Sequence, residues 1–412
     1  MDLLTTRVMD AITDIATKIQ ENNTFEYPDN KDLVSLLKED LCNYLIFLST
    51  TDGCISEDEV DFITAISGHN YTSEKIIVNL STKTANDYIS TIPISLTYFL
   101  KTSNISGTFF NGKYFSIFSL YLYTYEVVGH SFIACNNDLN LNEISFLTRY
   151  TMNLNTYIQK NKPASPIPVS GDVQLDSSNT TNPNDLIPIN YDGPLISLVS
   201  ELNELTGLAS VKSDLLDIIH LLKVNSLRVS RGLTPAFVPM HYVFLGNLVS
   251  EKTLIVEYLS QIYQHFNIIS QDKITKASIS DFIGIDSSDT LSKIKIIIEK
   301  SQPGILFLED LHTLSTDFVD NVGDSLLTFL IRELSEVSSQ LITILSGPTK
   351  ELTIFLEDNP LVSQLFIKNI YFEDYTLEEI TEIIFSKATK NDYHFDNEAT
   401  FYLQKQIASY VA

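Results

Sequence analysis

Apolar positions recur at helical spacing through most of residues 1–158, whereas the second half of the chain sets short unbroken apolar runs between helical stretches. The first region therefore reads as all-α. Its most apolar stretch, Tyr114 to Cys135, is interrupted by Glu126, Gly129 and His130, so it reads as a core helix and not a membrane span. Further on, Tyr242 to Leu245 reads as a buried parallel strand, Gly246 opens a loop, and Lys252-Thr253 begin a helix carrying Leu254, Ile255, Tyr258, Leu259 and Ile262 on its apolar face. Ser301 to Asp310 and Gln340 to Gly347 read as two more strands. Before the first of them, a long amphipathic helix runs through Val224 and Arg228 and closes at Arg231-Gly232-Leu233. Strands alternating with helices of this length predict an α/β domain: a parallel sheet with helices on both faces. Pro163, Pro166, Pro168, Pro183 and Pro188 fall among Ser, Asn, Thr and Asp between the two halves, and mark a linker.

Composition narrows the class. At 412 residues the chain has room for two or three cores, and 44% hydrophobic with 19% charged residues is globular. The net charge of −25 is spread along the chain, so it opposes nucleic acid and anionic membrane, and a protein partner is expected instead. Three cysteines, Cys42, Cys54 and Cys135, show no metal-binding spacing and are expected to be reduced thiols. Met1-Asp2-Leu3-Leu4 leads into a mixed polar helix and not a secretion signal, so a cytoplasmic location without membrane insertion is expected.

A short repeat stands out in the helical half. Asp52-Gly-Cys-Ile-Ser-Glu-Asp-Glu59 can be laid over Asn136-Asn-Asp-Leu-Asn-Leu-Asn-Glu143, and each copy follows an apolar helix. Both read as a polar turn, an apolar plug (Ile55, Leu139), a cap (Ser56, Asn140) and a helix with a carboxylate in its first turn. Capping and dipole complementarity account for these residue types. Alternatively Asp52, Glu59, Asp138 and Glu143 converge as oxygen ligands of a divalent cation.

The strand, loop and helix from Tyr242 have the outline of a phosphate-binding loop, GxxxxGK[ST], in which backbone amides cradle phosphates, Lys meets the terminal phosphates and Ser/Thr holds Mg²⁺. Gly246, Lys252 and Thr253 stand at that spacing, with Asn247 after the first glycine, but the second glycine is Glu251. A carboxylate there adds like charge beside a phosphate and fills space that close backbone approach requires.

Two family resemblances follow from these motifs. The turn pattern of the first region resembles the TerB-like helical domain, with Asn136-Asn137 departing from the Asp52-Gly53 of the first copy. From about residue 197 the chain resembles AAA+ ATPases of the CbxX/CfqX (stage V sporulation protein K-like) family. An opening L-x-x-L-x-G-L-x-x-V-K pattern is matched by Leu202, Leu205, Gly207, Leu208, Val211 and Lys212. Arg228, Gly232, Leu233, His241, Phe244, Gly246 and Asn247 match a second passage, and Asn359-Pro360, Phe366 and Phe372 to Thr376 match the end of the core. The resemblance implies an organisation of a TerB-like domain (1–158), a linker (159–193), an AAA+ core (194–375) and a helical lid (376–412) that the chain's last residue cuts short.

Set against the family's motifs, four sites depart. The loop G-N-P-G-T-G-K-T becomes Gly246 to Thr253 with one Pro and two Gly replaced. The Asp-Glu acid pair becomes Glu309-Asp310, which exchanges the two reaches. Both arginines of the finger segment are replaced, by Ser363 and Leu365, and Asp286 stands where the pore loop has an aromatic residue. Loss of an arginine finger alone removes on the order of 10³–10⁵ in rate in the GTPase case. The resemblance and its departures together imply a pseudo-ATPase: a structural or regulatory subunit of a protein assembly, with an active AAA+ paralogue or further copies of itself as partners. Catalytic residues and cofactors are not expected, beyond a residual affinity for ATP or ADP with Mg²⁺. The alternative is an active ATPase with an atypical loop that remodels a client protein.

Overall fold

The computed structural model describes residues 2–23, 25–28, 31–51, 53, 55–69, 71–72, 84–102, 107–110, 113–135, 140–162, 193–247, 249–313, 322–337, 341–396, 399–400, 402–403 and 406–407. The linker expected over 159–193 thus lies, from residue 163 to 192, outside the described residues. Two compact units make up the chain, Met1–Ser200 with Leu216–Ala236, and Glu201–Leu215 with Phe237–Ala412.

The first unit is built on helices α1 (Leu3–Asn22), α2 (Leu33–Ser49), α3 (Glu57–Ser67), α4 (Ala85–Tyr88) and α5 (Ile94–Leu100), then α6 (Ile117–Ile133) and α7 (Leu141–Asn161). Every residue of α6 except Phe118 is buried, as its apolar residues on all faces require. The stretch read as a core helix is one, and among the described residues no helix is long and apolar enough to cross a membrane. Gly129 lets α2 come close: a Cβ there would stand 2.3 Å from the Tyr44 hydroxyl. One feature corrects the all-α expectation. Strands β1 (Gly107–Phe110) and β2 (Lys113–Ser116) pair antiparallel, Phe110 opposite Lys113. Asn111-Gly112 between aromatic runs is a strong hairpin signal in the sequence.

Helix α8 (Gly193–Glu204) is followed by α9 (Ala209–Ser230), the long amphipathic helix expected through Val224 and Arg228, and between them Gly207 and Leu208 take positive φ, 69° and 54°. In the second unit five strands form one sheet, all parallel, in the order β4-β5-β6-β3-β7: β3 (His241–Gly246), β4 (Ile274–Ser278), β5 (Gly304–Glu309), β6 (Leu341–Gly347) and β7 (Lys368–Phe372). The expected strands are β3, β5 and β6, which are buried almost throughout. Strands β4 and β7 escape a search for apolar runs because each lies at an edge and alternates, Ala277 alone being buried in β4, and Ile370 and Phe372 in β7. Helices α10 (Val249–His265), α11 (Ile279–Phe282), α12 (Ser287–Ser301), α13 (Val322–Glu336), α14 (Thr349–Asp358), α15 (Pro360–Leu365) and α16 (Leu377–Lys390) surround it. Leu306, Leu308 and Leu345 of the sheet pack with Leu330, Leu334 and Phe355 in one core. This architecture is an α/β domain with a parallel sheet.

Candidate functional site

In a parallel sheet ligands bind beyond the carboxyl ends of the strands, where the strand order turns back. Here β3 sends the chain outward to edge strand β4, and β6 lies beside β3, so the crevice lies at the ends of β3 and β6. Gly246 closes β3 with φ of 149°, and a Cβ at that position would come 2.4 Å from the Phe372 carbonyl oxygen. Only glycine fits there.

The helix after Gly246 starts earlier than the sequence pattern implies. It begins at Val249 and not at Lys252, leaving Asn247 and Leu248 between strand and helix. The reason is local. Val-Ser-Glu carries no glycine to hold an extended loop, and Glu251 in the first helical turn complements the dipole. The Tyr375 hydroxyl donates to the Glu251 carboxylate, and burial together with that carboxylate pushes the phenol up to about 12.

Lys252 is 3% exposed. Its Nζ donates to the Gly246 carbonyl at 2.6 Å and to the Gly347 carbonyl at 2.9 Å, and stands 5.9 Å from the Phe372 ring centroid. Burial draws its pKa down to about 8, against the opposing pull of Asp310 and Glu309. The lysine at the phosphate-binding position is thus held by the ends of β3 and β6. Thr253 Oγ1 accepts from Lys276 Nζ at 3.3 Å. The sequence gives no sign of Lys276, because the strand that carries it, β4, has no apolar run to mark it.

Glu309 ends β5 in register with Ser346 of β6 and Ser278 of β4. Asp310 is exposed and takes φ of 58°, outside the comfortable range of a non-glycine residue, while its N–H donates to the Ser346 carbonyl at 3.1 Å. In the finger segment, Ser363 is exposed and donates to the Pro360 carbonyl at 3.1 Å, while Leu365 packs against the core. Neither side chain carries a charge to a neighbouring molecule. Asp286 caps α12, accepting from the Asp289 N–H at 2.8 Å. The residue before it, Ile285, is 100% exposed, a position that the sequence reading did not single out.

The hydroxyl that the motif would offer to magnesium, Thr253 Oγ1, is thus the acceptor of an ammonium. The second proposed cation set is only partly in view. Asp52 and Asp138 lie outside the described residues. Glu59 is buried and closes a capping box, its carboxylate accepting from the Ser56 N–H at 2.7 Å while the Glu59 N–H donates to Ser56 Oγ at 3.3 Å. Glu143, also buried, and Glu59 both act on the Cys135 thiol, which burial and these carboxylates push up to about 12. The structure therefore brings the two glutamates of the repeat to one neighbourhood. Among the described residues, no group of three or more His, Cys, Asp or Glu is placed to hold a metal ion.

No family model matches the chain. Over 215 residues, 52% of the chain, it is 26% identical to stage V sporulation protein K of Bacillus subtilis, of which that stretch spans 67%. It is 28% identical over 207 residues to the chromosomal protein CbxX of Cupriavidus necator, spanning 65% of it. With the ESX-3 secretion system protein EccA3 of Mycobacterium tuberculosis it shares 28% over 213 residues, about a third (34%) of that protein's length. These relatives are AAA+ family members, so half of the chain is AAA+-like.

Proposed function

We propose that the protein is a catalytically impaired AAA+ homologue, a pseudo-ATPase that serves as a structural or regulatory subunit of a protein assembly. The observation that carries this reading is the capture of Lys252 Nζ by the Gly246 and Gly347 carbonyls. A lysine committed to the strand ends has to give up both bonds before it meets a phosphate. The exchanged acids Glu309 and Asp310, the loss of both finger arginines at Ser363 and Leu365, and Glu251 turned to Tyr375 support the same conclusion. The residual loop residues Gly246, Asn247, Lys252 and Thr253 serve as a frame. The first unit, TerB-like in its turns, docks to partners, and one relative's name as a secretion-system protein supports a role among protein partners.

Turnover decides the matter. The purified protein at millimolar ATP and Mg²⁺, alone and mixed with an active AAA+ paralogue from its source, is expected to release phosphate no faster than a Lys252→Ala control. Release that depends on Lys252 would sink the proposal and restore the client-remodelling ATPase.

A further inference from the structure

We infer that Lys276 keeps a divalent cation off the Thr253 hydroxyl, making the strand–helix site indifferent to Mg²⁺ when nucleotide phosphate is offered. This rests on the reading of β3, its loop and α10 as a residual phosphate-binding scaffold.

Lys276 is the third residue of β4, opposite Phe307 of β5, and its ammonium reaches Thr253 Oγ1 on α10 at 3.3 Å. A cation bound to that oxygen would stand about 4 Å from the ammonium, and the like charges repel there, in part screened by water because Lys276 is exposed. Lys252 adds a second positive charge from the same helix, bound at the ends of β3 and β6. Glu309 and Asp310 favour the charged form of Lys252, against its burial. A guard against strand pairing needs only a solvated charge on the edge strand; contact with a hydroxyl on a neighbouring helix goes beyond that.

The test is thermal stability with ADP in excess EDTA and in millimolar Mg²⁺, for the wild type, Lys276→Met and a Lys350→Met control that makes the same change in charge at an exposed position of α14. Wild type and control are expected to respond identically with and without Mg²⁺, whereas Lys276→Met is expected to bind ADP roughly tenfold more tightly with the metal than without it. The EDTA melting temperature of Lys276→Met without ADP checks that the variant folds. Three results would overturn the inference: a larger ADP response in Mg²⁺ for the wild type, no metal dependence in Lys276→Met, or the same gain in Lys350→Met. Absence of any ADP response in all three proteins counts as the second of these and leaves the pseudo-ATPase reading standing, whereas that reading falls on turnover alone.

Discussion

Lys252 Nζ lies 2.9 Å from the carbonyl oxygen of Gly347, ninety-five residues further along the chain, and ties α10 to the end of β6. A side chain that a nucleotide-binding loop would reserve for ligand is here a structural strut. Lys252→Ala is expected to lower stability by about 1–3 kcal/mol in EDTA without nucleotide, because two buried carbonyls lose their donor. Chemical denaturation measures this directly. An unchanged midpoint would mean that the lysine is free for ligand.

Asp286 is the N-cap of α12. Asp286→Ala is expected to cost about 1 kcal/mol, the usual loss when a capping side chain is removed. Asp286→Asn, which keeps the acceptor, is expected to be close to neutral. Equal losses in both would show that the carboxylate has another task.

Inside the first unit, His130 Nε2 and His220 Nδ1 are 2.7 Å apart and both rings are buried. Burial holds His220 down at about 3 and His130 well below its ordinary value. Since the unfolded chain takes up these protons first, stability falls as the pH drops below about 6.5. Glu126 on the same helix works the other way. Burial raises it to about 7, with Lys223 opposing, so its share of stability grows as the pH falls from there toward 4.5. Two imidazoles against one carboxyl leave a net loss of roughly 1 kcal/mol per pH unit between 6.5 and 4.5. Urea midpoints at pH 6.5 and 5.5 test this, and His220→Leu is expected to flatten the slope.

Arg231 closes the end of α6. Its Nη1 donates to the carbonyls of Ser131 at 3.1 Å and Ala134 at 2.9 Å, and its Nη2 to Asp2 Oδ2 at 2.6 Å. Burial disfavours the Asp2 charge, but hydrogen bonds from Ser131, Thr5 and Arg231 outweigh it and hold the carboxyl at about 2. Its contribution to stability is therefore present above about pH 4 and is lost as the pH falls through 2. Arg231→Ala is expected to cost about 1–3 kcal/mol at pH 7. Asp2→Asn is expected to lower the melting temperature at pH 5, with the gap to wild type closing by pH 2.

The legible parts of the fold were those with a strong local period. The apolar runs of β3, β5 and β6 and the buried helix α6 needed no tertiary information. Edge strands β4 and β7 did, since half of each faces outward and their alternation is too short to stand out. Asn111-Gly112 was a readable signal for the β1–β2 pair that the helical pattern around it masked.

By itself the sequence placed Glu251 at the second glycine position of a phosphate-binding outline, and its resemblance to a family implied that Ser363 and Leu365 stand in place of the finger arginines, because identity and spacing are properties of the chain. Which way Glu251 turns, what Lys252 holds and what stands against Thr253 were decided only by tertiary structure. Each partner, Tyr375, Gly347 and Lys276, comes from another strand or the segment beyond β7, and no local pattern announces which groups a parallel sheet will bring together there. The same holds for the His130–His220 pair, ninety residues apart in sequence and joined only when α6 and α9 pack.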